Sequence, residues 1–226
     1  MPANKQTSKP GSVNIGLHSY YRSSAAYRVR IAMALKNIHS DVLPIDLLAG
    51  QQQSSEYLAI NPQGLVPALS VDNNVLTQSL AIIEYLNERY PEPALLPENL
   101  LAKAQVRAMA QQIAIDIHPL NNLRVLNYLK DNLNCSDSEK TQWISHWISK
   151  GFAALEQTLA MQNKSTGLSE PQYCFGSQPS LADICLIPQV YNAKRFDVAM
   201  HDYPNINAIV KHCNSLPAFI TAAPKQ

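Results

Sequence analysis

Two adjacent serines, Ser23 and Ser24, occupy the position in this chain that most directly suggests chemistry. They follow a short apolar run, residues 13–17, that predicts a strand. They precede a segment whose apolar residues have the stagger of an amphipathic helix, at Val29, Ala32, Met33 and Leu35. A strand-to-helix turn offers N–H groups without partners at the positive end of the helix dipole, so it can hold an anion such as a thiolate. The other interpretation is that one serine only caps the helix. The local pattern leaves both open.

Composition restricts the class of partner. The chain has 226 residues, of which 46% are hydrophobic and 15% are charged, as is typical of a globular protein of one or two domains. Its 18 Lys and Arg residues nearly balance its 17 Asp and Glu residues. A balanced charge gives no overall basic field that would recruit nucleic acid or an anionic membrane. No apolar run reaches the length of a bilayer span. We therefore expect small-molecule partners, without nucleic acid or membrane.

The cysteine pattern points to a reducing compartment. The four cysteines are widely separated and form neither a C-x-x-C motif nor a metal-ligand spacing: Cys135, Cys174, Cys185 and Cys213. Residues 1–12 are polar and lack the apolar segment of a secretory signal, so they predict a flexible leader. Together these observations predict a cytoplasmic protein with reduced thiols and no metal site.

The first part of the chain alternates strand-like and helix-like segments in the order β-α-β-α-β-β-α. The second strand, Asp41–Asp46, should lie at a sheet edge because Pro44 cannot donate a ladder hydrogen bond. A turn at residues 61–64 precedes a hairpin, and a helix starts near Ser79. We therefore predict an α/β domain over residues 13–90 with a mixed sheet.

A proline-rich linker, residues 91–99, ends this domain, because three prolines within seven residues cannot continue a helix or a central strand. Beyond it the pattern predicts an all-helical domain over residues 100–226. Ser180 and Asp183 have the spacing of a helix capping box. The predicted helices cover residues 101–133 with a break at Pro119, 138–161, a stretch from Ser180, and two short segments near 204–214 and 217–222.

This organisation resembles the glutathione transferases, in which a thioredoxin-like βαβ-ββα domain precedes a helical bundle. The resemblance is closest to the zeta class, and five segments carry it: Arg22–Ala32, Asn61–Leu69, Gln78–Leu86, Asp116–Arg124 and Leu186–Phe196. They span nearly the whole chain outside the polar leader. Many zeta members carry a cysteine directly after the two serines, where this chain has Ala25. Either that cysteine is dispensable here or the activity is altered.

The resemblance implies glutathione as the cofactor and a serine as the group that activates its thiol. Ser23, or alternatively Ser24, would donate a hydrogen bond to the glutathione sulfur, and the resemblance favours Ser23. Lowering a thiol pKa of about 8.5 by ~2 units requires roughly 2.7 kcal/mol in favour of the thiolate. Tyr20 and Tyr21 are the rival donors, and their alternative role is packing at the end of the strand.

The resemblance also implies the rest of the glutathione site. A cis peptide bond before Pro67 would let the backbone of Val66 pair with the cysteinyl amide of glutathione. Ser79 and the helix N–H groups would hold the γ-glutamyl carboxylate, with Gln78 at the same end, although Ser79 could simply cap its helix. Three further contacts follow by the same likeness: Gln52, His118 and Asn122. The alternative for His118 is a structural role in which it shapes the helix break at Pro119.

A zeta-class activity would be the cis–trans isomerisation of maleyl-type dicarboxylates, such as maleylacetoacetate to fumarylacetoacetate in aromatic amino-acid catabolism. The thiolate would add to the double bond, allow rotation and leave again, so that glutathione is regenerated. A substrate with a carboxylate at each end requires separated arginines. Arg22 and Arg195 are the candidates, with Arg124 as a weaker third, although most surface arginines are merely solvated.

Three other functions remain open. The chain could be a transferase that conjugates or dehalogenates small haloacids, or a non-catalytic interaction protein on the same scaffold. A thiol–disulfide reductase is disfavoured because no cysteine lies near residues 20–30. Family likeness also implies a homodimer. We assign structural roles to Asp183, Arg28 and Arg30.

Overall fold

The structure, a computed structural model, describes residues 14–167 and 170–225. It has the predicted class, since strands and helices are mixed up to residue 89 and only helices follow from residue 100 onwards in the described part. The predicted leader, residues 1–12, lies outside the described residues. Among the described helices, none combines the length and the apolar character that a membrane span requires.

In the described residues, four strands form one mixed sheet in the order β2-β1-β3-β4. The central strand β1 (Ile15–Ser19) pairs in parallel with β2 (Asp41–Pro44) and antiparallel with β3 (Ala68–Val71). β3 pairs with β4 (Asn74–Thr77), which closes the predicted hairpin. The proline-bearing strand β2 therefore lies at an edge, as predicted, while β1 is buried along its whole length.

Three helices complete this part of the chain: α1 (Ser24–Leu35), α2 (Ser55–Ile60) and α3 (Ser79–Arg89). The peptide bond between Val66 and Pro67 is cis, which confirms that expectation from the zeta-class resemblance. It leads directly into β3, so the backbone of Val66 lies beside the sheet near the start of α3.

The second part of the chain is helical in the described residues, and its elements follow the prediction closely. The predicted break at Pro119 is real: α4 runs into a π-helical segment over Gln112–Ile117 and a 3₁₀ turn over His118–Asn121 before α5 begins. The α-helices are α4 (Leu100–Gln111), α5 (Leu123–Asp131), α6 (Asp137–Thr166), α7 (Leu181–Arg195), α8 (Pro204–Cys213) and α9 (Pro217–Ala222).

Helix α1 is held by both parts of the chain. It packs against α3 of the first part and against α7 and α9 of the second, and most of its residues are buried. One hydrophobic core, including Leu17, Ile31 and Phe152, continues through both parts. The start of α1, and with it the serine turn, is consequently held in a rigid frame.

The segment between the two parts is hydrogen-bonded at several points. Lys36, at the end of α1, donates to the carbonyls of Tyr90 and Pro93 at 2.6 and 2.8 Å. The N–H of Leu181 donates to the carbonyl of Leu95 at 2.9 Å. These contacts attach the proline-rich segment to both α1 and α7.

The predicted capping box at α7 is present. Asp183, which is fully buried, accepts hydrogen bonds from the backbone N–H groups of Ser180 at 2.8 Å and of Cys174 at 2.7 Å. Burial raises the pKa of Asp183, and these hydrogen bonds act in the opposite direction. The carboxylate joins the helix start to the preceding loop, which supports the structural role expected for it.

Candidate active site

The two serines at the start of α1 have different partners. Ser23 is the N-cap, and its hydroxyl oxygen accepts from the N–H of Ala26 at 3.2 Å, so the capping interpretation is confirmed for this residue. Ser24 is the first helical residue; it is buried, and its hydroxyl donates to the carbonyl of Pro188 at 3.4 Å. Within the described chain, no protein acceptor takes the hydroxyl hydrogen of Ser23. That hydrogen is therefore the one available to a ligand.

Both serines line a small cavity of about 150 Å³, here called the serine pocket. The turn between β1 and α1 contributes Tyr20 and Arg22, and the end of α7 contributes Arg195. The structure thus brings together the serines and the two arginines expected to bind substrate, although Arg22 and Arg195 are far apart in sequence. Of the two tyrosines, Tyr20 lines this pocket and Tyr21 is exposed.

A second cavity of about 380 Å³, the Val66 pocket, adjoins the first. It is lined by Val66, Pro67, Gln78 and Ser79, four of the residues predicted to hold glutathione. His118 and Asn122 line both pockets and so mark their junction. Ala25, Arg28 and Arg124 also line the Val66 pocket.

Ser79 does not cap helix α3. Ser79 is the first residue of the helix, and the N-cap is Gln78, which has a φ of +68° and whose side chain makes no cap hydrogen bond. Gln78 instead donates to the side-chain oxygen of Gln63 at 2.9 Å. The hydroxyl oxygen of Ser79 accepts from Nη1 of Arg28 at 3.3 Å. The N-cap interpretation of Ser79 is therefore wrong.

Sequence reasoning missed Arg28 as a residue of the pocket. Only 2% of it is exposed, and its Nε and Nη2 atoms are buried without a hydrogen-bond acceptor in the described chain. A signal existed in the sequence, because Arg28 interrupts a helix that is apolar on nearly every side, between Tyr27 and Val29. Charged side chains are rarely buried without a partner, so such a position merits a functional interpretation.

The helix break at Pro119 places two side chains at the junction of the pockets. His118 is partly buried, and its Nδ1 is buried without a partner in the described chain. Burial and, secondarily, the positive charge of Arg28 lower the pKa of His118 to about 3, so the ring is neutral near pH 7. Asn122 caps α5 by accepting from the N–H of Arg124 at 3.1 Å. Asn122 therefore has a structural role at the break, and both residues also line the cavities.

The two pockets carry a concentrated positive charge. Arg22 and Arg195 lie at the serine pocket, where they stack on neighbouring aromatic rings with distances of 5.0 and 5.5 Å to the ring centres. Arg28 and Arg124 lie at the Val66 pocket. No Asp or Glu is among the described residues that line either pocket. This arrangement favours ligands with several carboxylates.

Two predicted site residues lie elsewhere than expected. Arg124 lines the Val66 pocket and is not among the residues of the serine pocket. Gln52 lines neither pocket; it belongs to a 3₁₀ turn (Gln51–Gln53), and its Oε1 is buried without a partner in the described chain. That turn packs against Gly64, whose φ is +60° and where a Cβ atom would lie 3.0 Å from the carbonyl oxygen of Gln52. The glutathione contact of Gln52 stays a prediction.

Comparison with known proteins identifies the family. Residues 17–94 match the model of the glutathione S-transferase N-terminal domain, and residues 141–212 match that of the C-terminal domain. The chain is 47% identical over 211 residues to a probable maleylacetoacetate isomerase of Vibrio cholerae, covering 92% of this chain and 95% of that protein. The chain belongs to the glutathione S-transferase family. Its relatives place it in the zeta class.

Solved structures of glutathione transferases agree in fold over nearly the whole chain. The holo structure of a maleylpyruvate isomerase, described as a bacterial zeta-class glutathione transferase, has a TM-score of 0.89 and 42% identity, covering 92% of this chain and 96% of that one. A maleylacetoacetate isomerase of Anaeromyxobacter dehalogenans has a TM-score of 0.82 and 36% identity, covering 94% and 95% of the two chains. That structure holds dicarboxyethyl glutathione and citrate in its active site.

Proposed function

We propose that this glutathione transferase is a glutathione-dependent cis–trans isomerase of maleyl-type dicarboxylates, with maleylacetoacetate as the principal candidate substrate. The observation that carries the proposal is the pair of adjoining pockets, which meet at His118 and Asn122. Each pocket offers two arginines and, among its described lining residues, no carboxylate. The relatives named as isomerases of maleylacetoacetate or maleylpyruvate support the same reaction.

The Val66 pocket fits glutathione by the chemistry of its residues. The cis bond before Pro67 presents the backbone of Val66 beside a sheet strand, as pairing with a peptide-like ligand requires. The first residues of α3 supply N–H groups that suit a carboxylate, and Gln78 and Ser79 add polar groups at the same place. The buried guanidinium of Arg28 has donors without acceptors in the described chain. These features match a ligand that is both a peptide and an anion.

When bound, glutathione supplies a thiolate that adds reversibly to the cis double bond. The part of the protein is to keep that sulfur ionised, and Ser23 is the group we assign to this role. Its oxygen accepts from Ala26, so its hydrogen can be donated to a ligand, whereas the hydrogen of Ser24 is engaged with the carbonyl of Pro188. The first turn of α1 adds the positive end of the helix dipole.

Two arginines hold the substrate in this proposal. Arg22 borders the serine pocket from the turn before α1, and Arg195 borders it from the end of α7. The two arginines can therefore contact carboxylates at opposite ends of a short ligand. Arg124 lines the Val66 pocket, so we assign its charge to glutathione and not to the substrate. Neutral His118 and Asn122 lie where the two ligands would meet and can orient them by hydrogen bonds.

A homodimer stays a prediction from the family. Large apolar side chains are exposed at the start of α4 and on β4, where Leu100, Leu101 and Val75 have 81%, 70% and 42% of their surface exposed. Such residues support an interface, and light scattering of the purified chain measures the mass directly. A cytoplasmic location is likewise a prediction.

The proposed reaction is tested by comparing three electrophiles with and without glutathione: maleylacetoacetate, maleylpyruvate and a small α-haloacid. We expect the two cis dicarboxylates to be converted to their trans isomers only when glutathione is present, with kcat/KM well above that for the haloacid. A preference for the haloacid would identify a dehalogenating transferase instead. Failure to bind glutathione in a calorimetric titration would favour a non-catalytic protein.

A further inference from the structure

The side chain of Arg28 is a buried charge without compensation in the described chain. Only 2% of the residue is exposed, and no Asp or Glu of the described ranges forms an ion pair with it. Within the described chain it makes one hydrogen bond, from Nη1 to the hydroxyl oxygen of Ser79 at 3.3 Å. Its Nε and Nη2 atoms are buried and have no acceptor there. A buried charge in this condition is strongly unfavourable unless an anion approaches it.

The same helix contains a natural contrast. Arg30, two residues further on, donates to the carbonyl of Ala222 at 3.0 Å, to the hydroxyl of Ser19 at 3.1 Å and to the carbonyl of Tyr21 at 2.9 Å. Its donors are thus used to join the C-terminal helix to the end of β1. Arg30 is therefore a structural arginine. In Arg28, by contrast, two of the three guanidinium nitrogens have no acceptor in the described chain.

The position of Arg28 indicates what compensates its charge. Arg28 and Ser79 line the same Val66 pocket, at the start of α3. A hydroxyl group has one hydrogen, and the oxygen of Ser79 already accepts from Arg28, so the hydrogen of Ser79 must point away from the guanidinium. The neighbouring residues Leu80 and Ala81 also line the pocket, so the N-terminal turn of α3 faces it. The hydroxyl, the helix start and the buried charge all favour an anion at one place.

We propose that Arg28 is a positioning residue for the γ-glutamyl carboxylate of glutathione, acting through Ser79 and through its buried charge. This proposal rests on the proposed binding of glutathione in the Val66 pocket. The guanidinium fixes the Ser79 hydroxyl as a donor towards the ligand and lowers the energy of the carboxylate beside it. The bound carboxylate in turn compensates the charge that the folded protein buries without a partner.

Calorimetric titration with two ligands tests this role. The first ligand is glutathione, and the second is γ-aminobutyryl-Cys-Gly, which differs only in lacking the γ-glutamyl carboxylate. A hydrogen-bonded interaction with a charged group corresponds to a change of about 10–100-fold in affinity. We expect Arg28→Gln to lower the affinity for glutathione by this factor and to leave the affinity for the analogue almost unchanged. Arg28→Lys, which keeps the charge, should recover part of the loss.

The matched control is Arg30→Gln, made on the same helix with the same chemical change. We expect it to lower the thermal midpoint while the ratio of the two affinities stays that of the unmodified protein. If Arg28→Gln lowers the affinities for both ligands equally, or changes neither affinity, the proposal is overturned. If the unmodified protein binds neither ligand, the proposed glutathione site itself fails and the role of Arg28 falls with it.

A measurement on the unmodified protein covers the case in which Arg28 variants do not fold. The guanidinium Nε–H signal of Arg28 can be followed by NMR in isotopically labelled protein and assigned by elimination with lysine variants of the other arginines. We expect this signal to shift when glutathione binds and to stay in place when the analogue binds. Identical responses to the two ligands would contradict the assignment.

Discussion

Replacement of Ser23 by alanine should raise the pKa of the glutathione thiol on the protein more than the same change at Ser24. The reason lies in the direction of the two hydroxyl hydrogens. Ser23 accepts from Ala26 at 3.2 Å and keeps its hydrogen for a ligand, while Ser24 donates to Pro188 and is 5% exposed. Of the two serines, Ser23 is therefore the one that can stabilise a thiolate without breaking a hydrogen bond within the protein.

The size of the effect follows from one hydrogen bond to a charged sulfur. Such a bond contributes about 1.5–3 kcal/mol. Since one pKa unit corresponds to about 1.4 kcal/mol, we expect Ser23→Ala to raise the thiol pKa by about 1–2 units. The variant should also lose about 1 kcal/mol of folding free energy, because Ser23 caps α1. Ser23→Thr keeps both the cap and the donor, so it should retain a low thiol pKa.

The ultraviolet absorbance of the thiolate, recorded against pH for glutathione bound to each variant, measures this pKa directly. Urea unfolding of the same variants separates the loss of the cap from the loss of the donor. A larger rise in thiol pKa for Ser24→Ala than for Ser23→Ala would contradict the assignment of Ser23 as the thiolate donor. An unchanged thiol pKa in both variants would remove the serines from the chemistry altogether and leave Tyr20 as the candidate donor.

Three further predictions concern substrate, pH and stability. Arg195→Leu should lower kcat/KM for the dicarboxylate by about 10–100-fold with little change in the affinity for glutathione. Arg124→Leu should instead lower the affinity for glutathione. Steady-state kinetics and calorimetry separate these two patterns. Because the pKa of His118 is about 3 in the folded protein, the unfolded chain takes up this proton first as the pH falls below about 6.5. Between about pH 6.5 and the pKa in the folded protein, each pH unit should lower the free energy of unfolding by up to about 1.4 kcal/mol. Urea unfolding at neutral pH and at about pH 5 measures this dependence, which should be smaller in His118→Gln than in the unmodified protein. Asp183→Ala should lower the free energy of unfolding by about 3 kcal/mol, because two buried N–H groups lose their acceptor; normal stability with lost activity would contradict its structural role.

The sequence predicts much of the fold because local and tertiary signals agree. Pro44 marks an edge strand, the prolines after residue 90 end the first part of the chain, and Ser180 with Asp183 marks the start of α7. Each signal acts through the backbone, by removing a donor or by supplying a cap. Such signals can be read without knowledge of the neighbours in space.

The roles of the site residues are harder to predict from the sequence, because they depend on contacts between residues that are far apart in the chain. The partner of Ser24 is Pro188, and the partner of Arg28 is Ser79, so neither role can be read locally. The pattern near Ser79 is compatible with a cap, and only the structure places Gln78 in that position. Arg124 follows Asn122 closely in sequence, yet it lines only one of the two pockets that Asn122 joins.

In the proposed reaction, glutathione is regenerated in every turnover and acts as a cofactor. The most direct test is to follow maleylacetoacetate by NMR with glutathione at a small fraction of the substrate concentration, against a control without protein. We expect many conversions to the trans isomer per glutathione molecule, with free glutathione intact at the end. Conversion that stops after one equivalent, or glutathione that accumulates as a stable adduct, would contradict it.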